Sequence, residues 1–517
     1  MRGGFGIWRA LERAREINLE DAGEAPPEAG DGAISRRRML AGLAGAAGAV
    51  AMPAWPAFAE PARRVAIVGG GLAGLTALDR LRANGVDATL YEARAAVGGR
   101  TRSVRGVFAP DYAFDEGAQL VNSDHADILR LLDRFGLAKV LRVEHGDPHE
   151  IQIGRDGRAV PEAALAEALR PIAAQISRDY DRIEEDDGAL RAIDSMSVAD
   201  YLSRLGLAAG DARDALEAGI RTEYGAEAHE SSALQLLWNL PKVDGRHVRR
   251  ISLSDELWVV DGGTGQIAQH LAEPLRRHIK LGKRLSAVEA QPGGVRLRFA
   301  DGELVEADRA ILALPAPLLR EIRYVGLPAE WREAMAEVAL GRNEKVIVGY
   351  PDQSWRRTLG FAGALWGARH FSAVWDAASR EPTDEARPGA LTYFLGGAQV
   401  AAADGTEART LAARYSAAAR GVVPHLPQPN GRFRRTRWCD DPLTKGAYMN
   451  FRPGQYSRFA RLLTVEHDSG RTQPSQAGRL LFAGEWLSDA WPGYMNGAVQ
   501  TGRVAADAAM ERLALAA

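Results

Sequence analysis

The chain has 517 residues, 46% hydrophobic and 26% charged, the balance of a soluble globular enzyme with about two to four domain-sized units. Its 65 basic and 67 acidic residues leave a net charge of −2, which excludes a bulk field for nucleic acid or anionic membrane. The single cysteine, Cys439, excludes an internal disulfide. No metal-spaced Cys/His cluster and no internal repeat is present in the sequence.

Residues 1–59 read as an export signal. Ser35-Arg36-Arg37-Arg38-Met39-Leu40 resembles the twin-arginine pattern S-R-R-x-F-L. No charge falls between Met39 and Ala59, and Ala57-Phe58-Ala59 is an A-x-A cleavage site that leaves Glu60 as the new N-terminus. Pro53, Pro56 and the glycines weaken a membrane-anchor reading of the same stretch. The expectation is a periplasmic protein carried folded by the twin-arginine export machinery, with any cofactor already bound and no membrane span in the mature chain.

Val65 to Val68 is an apolar run of strand length, followed directly by Gly69, Gly71 and Gly74 in the order G-x-G-x-x-G. A helix ending near Gly85 and a second strand, Asp87 to Tyr91, lead to Glu92. Gly69 permits the tight turn, Gly71 lets backbone approach a pyrophosphate, and Gly74 lets helix and strand pack closely. Leu72 and Ala73 open the helix, whose N-terminal N–H groups face the anion. Glu92 is placed to accept hydrogen bonds from a ribose diol, which favours FAD or NAD over NADP.

Downstream come Arg94, Gly98-Gly99-Arg100 and Thr101, the E-A-R-x-x-x-G-G-R signature of many FAD enzymes. Here the chain resembles the flavin amine oxidase family. The resemblance implies a doubly wound, Rossmann-type α/β FAD-binding domain with an inserted α+β substrate-binding domain. It divides the chain into FAD-binding parts at 60–145, 251–325 and 433–517 and substrate parts at 146–250 and 326–432. Gly117 and Ala118, in the loop after Phe114-Asp115-Glu116, are then candidate flavin contacts, and Leu285 lies near the adenine.

Residues 143–250 carry helical patterns at 161–180 and 226–238 but no catalytic constellation. Only six of the 65 basic residues are lysine, so Lys345, in Gly341-Arg-Asn-Glu-Lys-Val, carries weight. It aligns with the family's G-x-x-x-K segment, in which the lysine holds a water close to flavin N5. Trp355, Trp366 and Trp375 read as packing residues. Trp438 opens a passage resembling the family's W-x-x-x-x-x-x-x-G-x-Y. In covalent members a cysteine precedes that Tyr; here the residue is Ala447, so the FAD is expected to be non-covalent.

Gly484 and Glu485 form the second FAD fingerprint, and Tyr494 and Met495 lead into the last helix. By resemblance, Tyr448 and Tyr494 are the aromatic pair that flanks the amine. The resulting expectation is hydride transfer from the α-carbon of a neutral amine to flavin N5. Imine hydrolysis follows, and reoxidation is by O2, giving H2O2, or by a periplasmic electron acceptor. An FAD-dependent desaturase-like enzyme and a non-catalytic FAD-bound binding protein are the alternatives. No metal is expected.

Overall fold

The computed structural model describes residues 6–24, 64–142, 151–240, 242–244, 247–249, 255–359, 361, 364–367, 369–378, 385–467 and 469–514. Its first element is helix α1 (Gly6–Asp21). The twin-arginine stretch and Ala57-Phe58-Ala59 lie outside the described residues.

Strand β1 (Arg64–Val68) sits inside a six-stranded sheet. Val65 to Val68 are each at most 2% exposed, because a central parallel strand is covered on both faces, and this explains its unbroken apolar run. Helix α2 (Leu72–Ala83) follows, buries Leu75, Leu78 and Leu81, and is closed by Gly85 at φ +76°. Strand β2 (Asp87–Tyr91) lies parallel to β1, with Val68 beside Tyr91. Strands β3 (Ile279–Lys280), β4 (Arg309–Leu312) and β5 (Leu480–Phe482) complete the parallel order β3-β2-β1-β4-β5, and residues 476–477 pair antiparallel at the edge. One sheet therefore draws its strands from three stretches far apart in sequence. Its C-terminal ends present the turn after β1 beside Ala313 and Gly484.

A seven-stranded sheet, in the order 433–435, 343–350, 389–396, 373–376, 365–367, 151–153 and 159–160, forms the second body. The strand Asn343–Tyr350 begins two residues before Lys345, which lies within it opposite Phe394. Three helices matter below: α3 (Ala126–Phe135), α4 (Glu162–Glu185) and α5 (Asp211–Tyr224), of which α5 reaches the site through Thr222, Glu223 and Tyr224. The helical pattern at 226–238 becomes a shorter helix, Ala233–Asn239, because the Ser232 side chain accepts from Leu234 N and caps it there.

Helix α6 (Met495–Ala514) closes the molecule against α2. A Cβ at Gly502 would lie 2.1 Å from the Ala73 carbonyl oxygen, so only glycine allows this approach. The Asn496 side chain accepts from Asp127 N and Ile128 N, at 2.9 and 3.1 Å, and so caps α3 from α6. No described helix is long and apolar enough to cross a membrane.

Candidate active site

A cavity of about 510 Å³ runs from the turn after β1 to the seven-stranded sheet. Of the residues expected at the site, Gly69, Gly71, Leu72, Ala73, Glu92, Arg94, Gly99, Arg100, Gly117, Ala118, Leu285, Lys345, Trp438, Tyr448, Gly484, Glu485, Tyr494 and Met495 all line it. Gly74 does not, and its place beneath the turn shows why glycine is needed. A Cβ there would stand 1.9 Å from the Gly69 carbonyl oxygen. Gly69 itself has φ +109°, whereas a Cβ at Gly71 would meet no protein atom within 4 Å. The three glycines thus divide into turn, open cradle and close packing.

Two carboxylates organise the dinucleotide end. Glu92 is 8% exposed and accepts from Gly70 N at 2.6 Å and from Arg94 N at 2.7 Å, one bond to each oxygen. Each oxygen keeps a further lone pair for a hydroxyl. The Arg94 guanidinium turns to Asp441 at 2.7 Å and to Thr444 Oγ1 at 3.1 Å, fixing the loop before Ala447. Burial raises the Asp441 pKa, but hydrogen bonds from Arg94 and Leu443 N outweigh it and leave the carboxyl below its usual range. Glu485 is 5% exposed and joins three segments: it accepts from Arg100 Nη1 at 2.6 Å, Gly493 N at 2.8 Å and Met449 N at 3.3 Å. Arg100 also donates to the Ala447 carbonyl at 2.5 Å. This network places Tyr448 and Tyr494, on separate stretches of chain, at one cavity wall.

Lys345 is 5% exposed, and its ammonium donates to the carbonyls of Asp115 at 2.8 Å and Gly117 at 2.7 Å and to Gln119 Oε1 at 3.4 Å. All three donors thus meet oxygens of one loop, the loop that carries Gly117 and Ala118. Burial pulls the Lys345 pKa down to about 8, against the opposing charges of Asp115, Glu116 and Glu256. Trp438 Nε1 holds the same loop through the Glu116 carbonyl at 2.9 Å.

The Tyr448 hydroxyl donates to the Thr222 carbonyl, and that of Tyr494 to Glu223 Oε2 at 3.4 Å, so both phenols are tied to the end of α5. Burial, and then the charges of Glu223, Glu256 and Glu485, push the Tyr448 pKa well above its usual value. Behind Tyr494, buried His125 sets its ring edge to the phenol with centroids 5.0 Å apart. His125 Nδ1 accepts from Asn122 N, and burial lowers its pKa to about 3, so it is neutral.

Several wall residues were not foreseen. Thr222 and Glu223 come from a stretch with no readable constellation. Glu256 and Arg142 form an ion pair of 2.5 Å on the cavity, with Glu256 at φ +43°. The positive φ of Glu256 is a backbone conformation that costs energy in a non-glycine residue and leaves no trace in the sequence. Trp366 and Trp375 do pack, Trp366 against the main core and Trp375 on Phe394 with centroids 4.9 Å apart, and both also line the cavity, where Trp375 Nε1 donates to Gln119 Oε1 at 3.0 Å. Trp355 does pack, buried and bonded to Asp376 Oδ2 at 2.7 Å. Cys439 lies off the cavity among the side chains of the second body, where burial pushes its thiol up to about 12.

The family model of flavin containing amine oxidoreductases matches residues 72–510. The chain belongs to that family. Among curated relatives, bovine (Bos taurus) flavin-containing amine oxidase B is 26% identical over 460 residues, 86% of this chain and 85% of that one. Bovine amine oxidase A is 25% identical over 467 residues, 86% and 84% of the two chains. Among solved structures, putrescine oxidase with putrescine bound superposes with a TM-score of 0.72 at 24% identity, covering 87% of this chain and 99% of that one. Cyclohexylamine oxidase from Brevibacterium oxydans IH-35A gives 0.73 at 23% identity, over the same shares. These two likenesses speak for the fold.

This member is accordingly a flavin-dependent oxidoreductase acting on amines, and its cofactor is FAD. The residues present fit that group: an open glycine cradle at Gly71, the Glu92 carboxylate beside it, and a cavity continuing to the paired tyrosines. Ala447 stands on the cavity and the chain's one thiol does not, so the FAD is held without a cysteinyl link. Among the described residues, no three His, Cys, Asp or Glu side chains group as a metal site.

Proposed function

We propose that a neutral amine is oxidised between Tyr448 and Tyr494, and that Lys345 sets the loop against which the reaction takes place. FAD held here would supply the acceptor for a hydride from the amine's α-carbon, with the electrons passing on to dioxygen, giving hydrogen peroxide, or to a periplasmic carrier. The observation that carries the reading is the pairing of the two phenols on one wall of the dinucleotide cavity, each anchored through its hydroxyl to α5. Anchoring at the hydroxyl holds each ring at the wall, and two aromatic faces there hold an amine by dispersion and quadrupole attraction without a counter-ion.

The remaining residues act by position and electrostatics. The donors of Lys345 fix the carbonyls of Asp115 and Gly117, so this loop keeps its shape through turnover. The N-terminus of α6 begins at Met495 on the cavity, and its positive end favours negative charge developing there. Trp366, Trp375 and Phe394 exclude water from the substrate end. Glu92, Arg100 and Glu485 hold the dinucleotide end. The product imine leaves to hydrolyse to a carbonyl compound and ammonia or a smaller amine. The leader at 35–59 supports export by the twin-arginine route, with the working enzyme in the periplasm.

Anaerobic mixing with a panel of monoamines, diamines and cyclic amines tests the reading. Bleaching of the visible flavin band by at least one of them is expected, and its loss in Tyr448→Leu is expected to follow. A flavin that stays oxidised with every class of amine would overturn it.

A further inference from the structure

The segment upstream of the export signal is part of the fold. Helix α1 puts Ile7, Trp8, Leu11 and Ala14 on one stripe, and each is at most 4% exposed. They pack in the same core as Leu165, Leu169, Ile172, Ala173 and Ile176, the matching stripe of α4. Ala10 and Ala14, fully buried, let the two axes approach closely. Polar ties fix the register. Arg9 pairs with Glu162 at 3.0 Å. Asn18 and Arg170 bond reciprocally: Asn18 Nδ2 donates to the Arg170 carbonyl and Arg170 Nε to Asn18 Oδ1, both at 2.9 Å. Arg170 also pairs with Asp21. A passive leader has no need of such a seat.

We propose that α1 is an intramolecular latch: the α4 face of the folded substrate half holds residues 6–21, and this contact restrains the leader until α1 lets go. The inference rests on the export reading for its consequence but not for its contact. Helix α1 precedes Arg36-Arg37-Arg38 in the chain, and an exported body is delivered away from the end that precedes its signal. The α1–α4 contact therefore belongs to the state before export and must break for the body to leave. Because α4 is one of its two faces, the latch closes only on a chain whose substrate half has folded. It thereby retains the chain while its cofactor site is completed.

Two measurements decide the matter. A specific protease site inserted at residue 30 of the full-length holoenzyme allows the chain to be cut once. The fragment carrying α1 is expected to co-elute with the body on size exclusion. In Trp8→Asp/Leu11→Asp the cut fragment separates, while the body stays yellow and oxidises amines at the unmodified rate. Separation of the wild-type fragment would overturn the latch. In cells, pulse-chase fractionation of the same variant is expected to show transfer to the periplasm at least threefold faster than wild type, and equal rates would overturn the restraint. Arg36→Lys/Arg37→Lys distinguishes the two ideas. If it and the wild type both remain in the cytoplasm, the export reading and the restraint fail together, and the co-elution result still decides whether α1 is docked.

Discussion

Replacing Lys345 with methionine should alter the pH dependence of stability in a way that no surface substitution can. Burial takes the ammonium pKa from 10.5 in a free lysine to about 8 in the folded chain. One pKa unit is worth about 1.4 kcal/mol, so keeping Lys345 charged in the native state costs about 3 kcal/mol near neutral pH. The direction follows from proton counts. Between about 8 and 10.5 the unfolded chain binds more protons at this site than the folded one, so its contribution to stability rises with pH. That contribution is fully present above 10.5 and is lost as the pH falls through about 8. The methionine variant lacks it, although the Asp115 and Gly117 carbonyls then lose their donor at every pH. Urea unfolding of both proteins at a series of pH values gives the difference directly. The stability of the parent minus that of the variant should grow by about 3 kcal/mol from neutral pH to above 10.5. A flat difference would show that the amine is hydrated and would refute the burial reasoning. The variant should remain yellow yet reduce or reoxidise its flavin about tenfold or more slowly, a barrier rise of about 1.4 kcal/mol.

The glycines make a paired test. Gly74→Ala drives a methyl into the Gly69 carbonyl and should melt several degrees lower as apoprotein, whereas Gly71→Ala should keep the apoprotein's melting temperature and lose the yellow cofactor. Glu485→Gln removes the buried partner of Arg100, and a loss of about 3 kcal/mol of holoenzyme stability with weakened FAD retention is expected in denaturant titrations. Acid precipitation should release all the FAD into the supernatant, and Cys439→Ser should leave that release unchanged, as read by supernatant absorbance. Tyr448→Phe keeps the ring but frees it from Thr222, so kcat/KM for amines should fall by about tenfold, the worth of one hydrogen bond of about 1.4 kcal/mol.

What was legible in the sequence was local. Strand, glycine turn and helix from Arg64 to Gly85 follow from the apolar run and from backbone rules that hold within a few residues. That Tyr448 and Tyr494 reach the cavity was legible because each sits in a motif. The groups around them were not: Thr222 and Glu223, which anchor the two phenols, and Arg142 and Glu256 reach the cavity only because α5 and the 255–257 stretch are docked by tertiary contacts, such as Asn122 Oδ1 accepting from Glu256 N at 3.1 Å. That Trp366 and Trp375 pack and also reach the cavity was not readable, because a tryptophan's side of a sheet depends on register, which strand propensity does not set. Helix α1 was hidden for a different reason. Its apolar stripe at 7, 8, 11 and 14 is readable, but the charge pattern of residues 35–59 drew the whole stretch into the export-signal reading.

The sheet around β1 also sets a timetable for synthesis. Its fifth parallel strand, 480–482, and the residues Glu485 and Met495 that close the cavity come from the last tenth of the chain. A ribosome that has made the glycine turn must add roughly four hundred further residues before the pocket has its far wall. A nascent chain that has not yet made these residues therefore cannot hold FAD in its final form, whatever the state of its glycine turn. Truncation before Leu480 should yield a chain with an intact G-x-G-x-x-G motif and no flavin.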